Sequence, residues 1–172
     1  YGVSFNGDHK VHDDVKAIYR LEYAYQKDYQ DNPTQYEADY FHLIGGAEVF
    51  GVTVKGGLEQ LDGQGTGTVF QTPLATAHGF NGWADQFLAT PANGLRDVYT
   101  SVSGKVMDVK LMGVYHDFAD DTGSIDYGKE WNFLAVKKFG KHYSLLAKYA
   151  YYDADQFGTD TQNFWLQAGV KF

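Results

Sequence analysis

Hydrophobic and polar residues alternate with a period of two along most of this chain. Residues 15–25 show it most clearly. Val15, Ala17, Tyr19, Leu21, Tyr23 and Tyr25 fall on one side; Lys16, Ile18, Arg20, Glu22 and Ala24 fall on the other. Successive side chains of a strand point to opposite faces, so this segment has one apolar face and one mostly polar face. A helix would bring Tyr19, Glu22 and Tyr23 together and leave no stripe. The alternation recurs in Phe41, Leu43, Ala47 and Val49, in Trp131, Phe133 and Ala135, and in Phe164, Leu166, Ala168, Val170 and Phe172. It predicts strands over 1–7, 14–28, 36–50, 52–61, 95–105, 108–118, 126–139, 142–154 and 161–172. Most of these exceed the usual strand length of about 5–6 residues. They suit a bilayer crossing of about 9–11 tilted residues with some overhang.

The connections alternate in length. Those at 50–51, 105–108 and 139–141 are tight, whereas 28–35, 119–125 and 153–161 are longer and polar. Short turns on one side and long loops on the other is the pattern of an outer-membrane barrel. The long loops fall opposite the C-terminus. They are therefore expected to be extracellular, with Phe172 at the periplasmic end as the terminal signal for barrel assembly. One connection stands apart, the stretch 62–94. Structureless connections beyond about 12–15 residues are uncommon unless functional. It is expected either to fold into the lumen as a constriction or to cover the mouth as a lid. Within it, 83–88 reads as a short helix or turn with Trp83, Phe87 and Leu88 on one side.

Composition narrows the class. The chain has 172 residues, enough for one domain with a sizeable core, and it lacks Cys, which excludes a disulfide scaffold and thiolate chemistry. Hydrophobic residues at 44% argue against disorder, and a net charge of −8 argues against nucleic acid as a partner. No apolar run is long enough for a membrane helix. A β-barrel crosses lipid without such a run, and the 17% aromatic residues favour it. Tyr23, Tyr25, Tyr36, Tyr127, Trp131, Tyr149, Tyr151 and Tyr152 lie towards the long-loop side, where an interfacial girdle belongs. A soluble antiparallel sandwich or a lipocalin-type barrel also alternates, but its polar face would be mostly charged. Here that face also holds Gly, Ile, Ala and Leu. The expected fold is an all-β, antiparallel, up-and-down transmembrane β-barrel over 1–172, with eight or nine strands.

Residues 72–100, from Thr72-Pro73-Leu74-Ala75-Thr76-Ala77-His78 through Trp83-Ala84-Asp85-Gln86-Phe87 to Val98-Tyr99-Thr100, resemble a loop-and-strand segment of the alginate-export-like family of proteobacterial outer-membrane barrels. Val114-Tyr115-His116-Asp117-Phe118 and Tyr149-Ala150-Tyr151-Tyr152-Asp153-Ala154-Asp155 are similar to it as well. The resemblance covers mainly residues 72–172. It implies a monomeric barrel of Gram-negative bacteria, longer than this chain, that passes anionic or small polar solutes by diffusion. This chain would then be the C-terminal part of a larger barrel. An odd strand count points the same way, because bacterial single-chain barrels have even numbers. If 1–7 is not a strand, eight remain and a small closed barrel with a filled interior follows.

The polar face supplies the candidate pore lining: Lys16, Arg20, Glu22, His42, Glu48, Lys55, Glu59, Lys110, Glu130 and Lys148. Acids and bases are mixed along it. A hydrated wall with such rings of charge tunes selectivity. The four glutamates dilute the basic lumen that an alginate exporter would carry. His78, Trp83, Asp85 and Phe87 are the candidate constriction residues of the long loop. His9 and His12, with Asp8, Asp13 and Asp14, read as a solvated turn rather than a metal site. His116-Asp117, with Asp120 and Asp121 nearby, has the residue types of a water-activating pair, but no partner is paired with it in sequence and no nucleophile elbow occurs. No enzyme, cofactor or metal is expected. The expected protein is a passive outer-membrane channel; the alternative is a non-conducting structural or adhesive barrel. Its partners would be outer-membrane lipid and lipopolysaccharide, the barrel assembly machinery, and small polar solutes.

Overall fold

The computed structural model describes residues 1–73 and 78–172. The described residues form one sheet of nine antiparallel strands and no helix. The strands are β1 (Gly2–His12), β2 (Val15–Lys27), β3 (Glu37–Val49), β4 (Val52–Leu61), β5 (Leu95–Val106), β6 (Val109–Ala119), β7 (Asp126–Phe139), β8 (Tyr143–Ala154) and β9 (Thr161–Val170). Each pairs with its neighbours in sequence, in the order β1 to β9. The predicted strands are all present. The first one runs further than expected, to His12, so His9 and His12 stand in β1 and not in a turn.

The sheet is not closed into a barrel. β1 and β9 are its two edges, each paired on one side only. With an odd number of alternating strands, the first and last run in the same direction. They cannot continue the antiparallel ladder by pairing with each other.

Cross-strand register puts one row of residues on a common face. Glu22 lies opposite His42, His42 opposite Glu59, and Glu59 opposite Asp97. His116 lies opposite Glu130, and Glu130 opposite Tyr152. This face is the buried one: Glu59, Asp97, His116, Glu130 and Asn132 are all buried, with Glu130 and Asn132 at 0% exposure. The opposite face is apolar and exposed. Leu21 is 47% exposed, Phe133 49% and Phe164 66%. Polar residues are inside and apolar ones outside, the reverse of a soluble sheet.

The long connection folds back onto the inner face at the loop end. Phe87 is the centre of the packing, with its ring 4.5 Å from Phe118, 5.2 Å from Phe157, 5.9 Å from Tyr152 and 6.0 Å from Tyr127. Leu61, Ala84, Leu95 and Ala150 complete this cluster. Loop residues reach both flanks of the sheet, from Gln26 on β2, bonded to Gln71, to Thr161 on β9, bonded to Gln86. The sheet therefore curls around the loop. The 83–88 piece is turns and bends rather than a helix, and Leu88 is exposed while Phe87 is buried. Residues 74–77 of the loop motif lie outside the described residues.

Two aromatic residues expected in the outer girdle turn inwards. A β-bulge at Phe118/Ala119 inserts Tyr127 between Gly128 and Asp126, and Gly128 takes a φ of 128° that a side chain would disfavour. Tyr127 then points inside and donates to Gly94 O at 3.1 Å. Tyr152 sits on the inner row with 0% exposure. Tyr23, Trp131, Tyr149 and Tyr151 keep the outward phase, set by the same registers.

Candidate functional site

The inner face carries a connected polar layer beneath the loop. On β2, Arg20 and Glu22 are two residues apart, hence on one face, and form an ion pair. On β3, Tyr40 Oη donates to Glu59 Oε1 at 2.7 Å and lies 3.3 Å from His42 Nδ1. A phenol has one proton, and here Glu59 receives it. The contact to Tyr40 then needs the proton on His42 Nδ1, and in that neutral tautomer Nε2 accepts from Tyr99 Oη at 2.9 Å. Gly57 makes room for this arrangement, since a Cβ there would meet the Tyr99 ring.

On β5 and β6, His116 Nδ1 lies 2.9 Å from both carboxylate oxygens of Asp97. In sequence, His116 stands beside Asp117 with Asp120 and Asp121 close by. Alternation sends Asp117 to the other face, so the partner comes from β5 instead. His116 stacks on Phe118 with rings 5.2 Å apart, and Tyr99 lies 5.6 Å away.

On β7, Glu130 Oε1 accepts the backbone N–H of Ala84 at 2.9 Å and that of Trp83. This carboxylate is where the loop meets the sheet. Gly82, at a φ of 86°, lies directly against it, and a Cβ there would overlap the carboxylate. Glu130 Oε2 and both polar atoms of Asn132 have no partner among the described residues. Asn81 Nδ2 donates to Glu59 Oε2 at 2.9 Å, a second tie between loop and layer.

On β8, Lys148 Nζ contacts His78 Nε2 and stands 4.2 Å from the Trp165 ring centre and 5.3 Å from that of Trp83. His78 Nδ1 in turn is 2.7 Å from Asp85.

All ten residues read as pore lining lie on the inner face by register. They divide into groups. Arg20, Glu22, His42, Glu59 and Glu130 belong to the layer under the loop. Lys148 serves the loop itself, and Lys55 stands alone on β4, opposite Gly46 and Ser101. Lys16 and Glu48 pair at 3.1 Å towards the turn end. Near that end an open cavity of about 640 Å³ is lined by Glu48, Lys110 and Lys138 among others. Of the four constriction candidates, His78, Trp83 and Asp85 cluster on Lys148, whereas Phe87 is a packing residue. Asp97, Tyr99 and Asn81 were missed as site residues. The phase of Val98, Thr100 and Val102 already put Asp97 and Tyr99 on the inner side. Asn81 lies in an aperiodic loop and gave no such signal.

Among the described residues, no group of three or more His, Cys, Asp or Glu is placed to hold a metal ion. No helix among the described residues is long and apolar enough to cross a membrane. No known protein family, curated protein or solved structure matches the chain.

Proposed function

We propose that the chain is a β-barrel channel of the bacterial outer membrane, whole or as part of a larger barrel, that lets small polar or anionic solutes diffuse passively. The inverted polarity of the sheet carries this reading. An exposed face bearing Leu21, Val102, Phe133 and Phe164 is costly in water and stable in lipid. Outward aromatics near the loop end, such as Tyr23 and Trp131, and others near the turn end, such as Phe139 and Tyr143, match the two interfacial girdles. Lipid and lipopolysaccharide would cover this surface, and Phe172 would serve barrel assembly. Kinship with alginate-export-like barrels belongs to the same proposal and rests on the motifs of residues 72–172.

In this reading the turn-end cavity is a hydrated vestibule. The loop is the constriction, with Trp83 and Ala84 seated on Glu130 across the path. The filled loop end also favours a second reading, a non-conducting structural barrel. Planar-bilayer recording separates the two. The channel reading expects discrete currents, and removal of 74–90 should enlarge them. Silence from folded, inserted protein, with and without the loop, would leave the structural barrel.

A further inference from the structure

Between the loop and the inner faces of β2, β3 and β4 lies a cleft of about 240 Å³. Its walls are apolar and largely aromatic, from Phe70, Phe80, Phe87 and Leu88. The Tyr40 ring forms part of the lining and stacks on Phe70 at 5.2 Å. Its polar residues include two carboxylates, Glu22 and Glu59, and among the described residues its lining contains no Lys, Arg or His.

The two carboxylates are not equivalent. Glu22 is paired with Arg20. Glu59, 8% exposed, takes hydrogen bonds from Tyr40 and Asn81 but has no ion pair among the described residues. Neutral donors solvate a buried carboxylate without cancelling its charge. Arg20 lies within Coulombic reach of Glu59 but is paired with Glu22, so the two carboxylates share one cation. Aromatic faces carry negative potential and attract cations as well. Phe80 and Leu88 line the cleft and are both more than half exposed.

We propose that this cleft binds a small organic cation with an apolar or aromatic body, its ammonium head directed at Glu59. The volume is below the range of about 300–1,000 Å³ typical of drug-sized ligands, so one ring and a compact head fill it. An anion would meet two carboxylates, and a neutral ring would leave Glu59 unmatched. The proposal is independent of whether the interior conducts.

The test uses the full chain folded in detergent micelles at low salt, titrated calorimetrically with benzyltrimethylammonium. Phenylacetate and benzyl alcohol serve as the anionic and neutral probes. The cation is expected to bind at least tenfold more tightly than either. Glu59→Gln should weaken it about tenfold. Phe80→Ala, at an exposed lining residue, should weaken it several-fold without disturbing the fold. Asp108→Asn, which removes the same charge at the opposite end, should leave it unchanged. Circular dichroism checks that each variant is folded; if Glu59→Gln is not, Phe80→Ala decides. Equal affinity for the three probes, or a loss in Asp108→Asn matching that in Glu59→Gln, overturns the proposal. Absence of binding overturns it too and leaves the channel reading intact, since that stands on bilayer currents.

Discussion

Asp120 closes the hairpin loop between β6 and β7 and is 4% exposed. Its carboxylate accepts the Ile125 N–H at 2.8 Å and the Thr122 hydroxyl at 2.5 Å. Burial pushes its pKa up, but the bonds from Ile125, Thr122 and Ser124 together outweigh this and hold it below the ordinary carboxylate value. A carboxyl whose folded pKa is depressed contributes stability that is fully present above its unfolded pKa, about 3.9. That contribution is lost as pH falls through the folded value. Asp120→Asn should therefore cost about 1–3 kcal/mol at neutral pH, where a buried charged acceptor is removed. The gap to the parent protein should narrow on acidification below pH about 4. Urea unfolding in detergent at the two pH values measures both. A gap that does not change with pH would mean that the hydrogen bonds matter through geometry and not through charge.

At the scale of elements, the long loop and the sheet are joined through a few contacts that can be broken singly. Glu130 is the principal one on the sheet side, buried and facing the N–H groups of Trp83 and Ala84. In Glu130→Ala the one oxygen that accepts both N–H groups is gone and both are left unpaired. The expected loss is about 1–3 kcal/mol of loop docking. Chymotrypsin should then cleave faster at Phe80, Trp83 or Phe87, while the strands stay protected. Unchanged cleavage would show that aromatic packing around Phe87 alone holds the loop. The strands were legible because a two-residue period is written into every one of them, and 52–61 and 126–139 match β4 and β7 residue for residue. β1 was read short because Asp8, His9, Lys10 and His12 carry no apolar stripe. Its backbone pairs with the opposing strand all the same, as Asp8 with Ile18 and His9 with Ala17. The inward turn of Tyr127 depends on one extra residue in a ladder, and period alone does not show a bulge. The seat of the loop was illegible for a related reason. Asn81, Trp83 and Ala84 are placed by contacts distant in sequence, with Glu59 and Glu130, in a segment without period. The inner row of polar residues was visible; which of them would touch was not, because that depends on curvature and on the loop.

At the scale of the molecule, the sheet has a polar inside, an apolar outside and two edges that run the same way. The first two features make opposite demands on the solvent, and a substitution can ask which solvent is there. Leu21, Val102 and Phe133 are outward-facing residues in the middle of β2, β5 and β7, and all are partly or well exposed. In water, replacing any of them by Arg relieves an exposed apolar surface and changes stability within about 0.5 kcal/mol, as most surface substitutions do. In a bilayer, the same Arg near the midplane costs about 2–4 kcal/mol, falling to about 0–1 near the interfaces. The proposed channel therefore expects Leu21→Arg, Val102→Arg and Phe133→Arg each to lower folding into lipid vesicles by that larger amount. Tyr23→Arg, nearer the loop end, should cost much less. Urea titration in vesicles, read by tryptophan fluorescence and by heat-dependent gel mobility, supplies the free energies. A depth profile that is flat across the four positions, with folding that proceeds equally well without lipid or detergent, would move the apolar face from bilayer to a protein partner. A graded profile would also locate the midplane along the strands. It would then place the Glu130 layer, and the loop seated on it, at a measured depth.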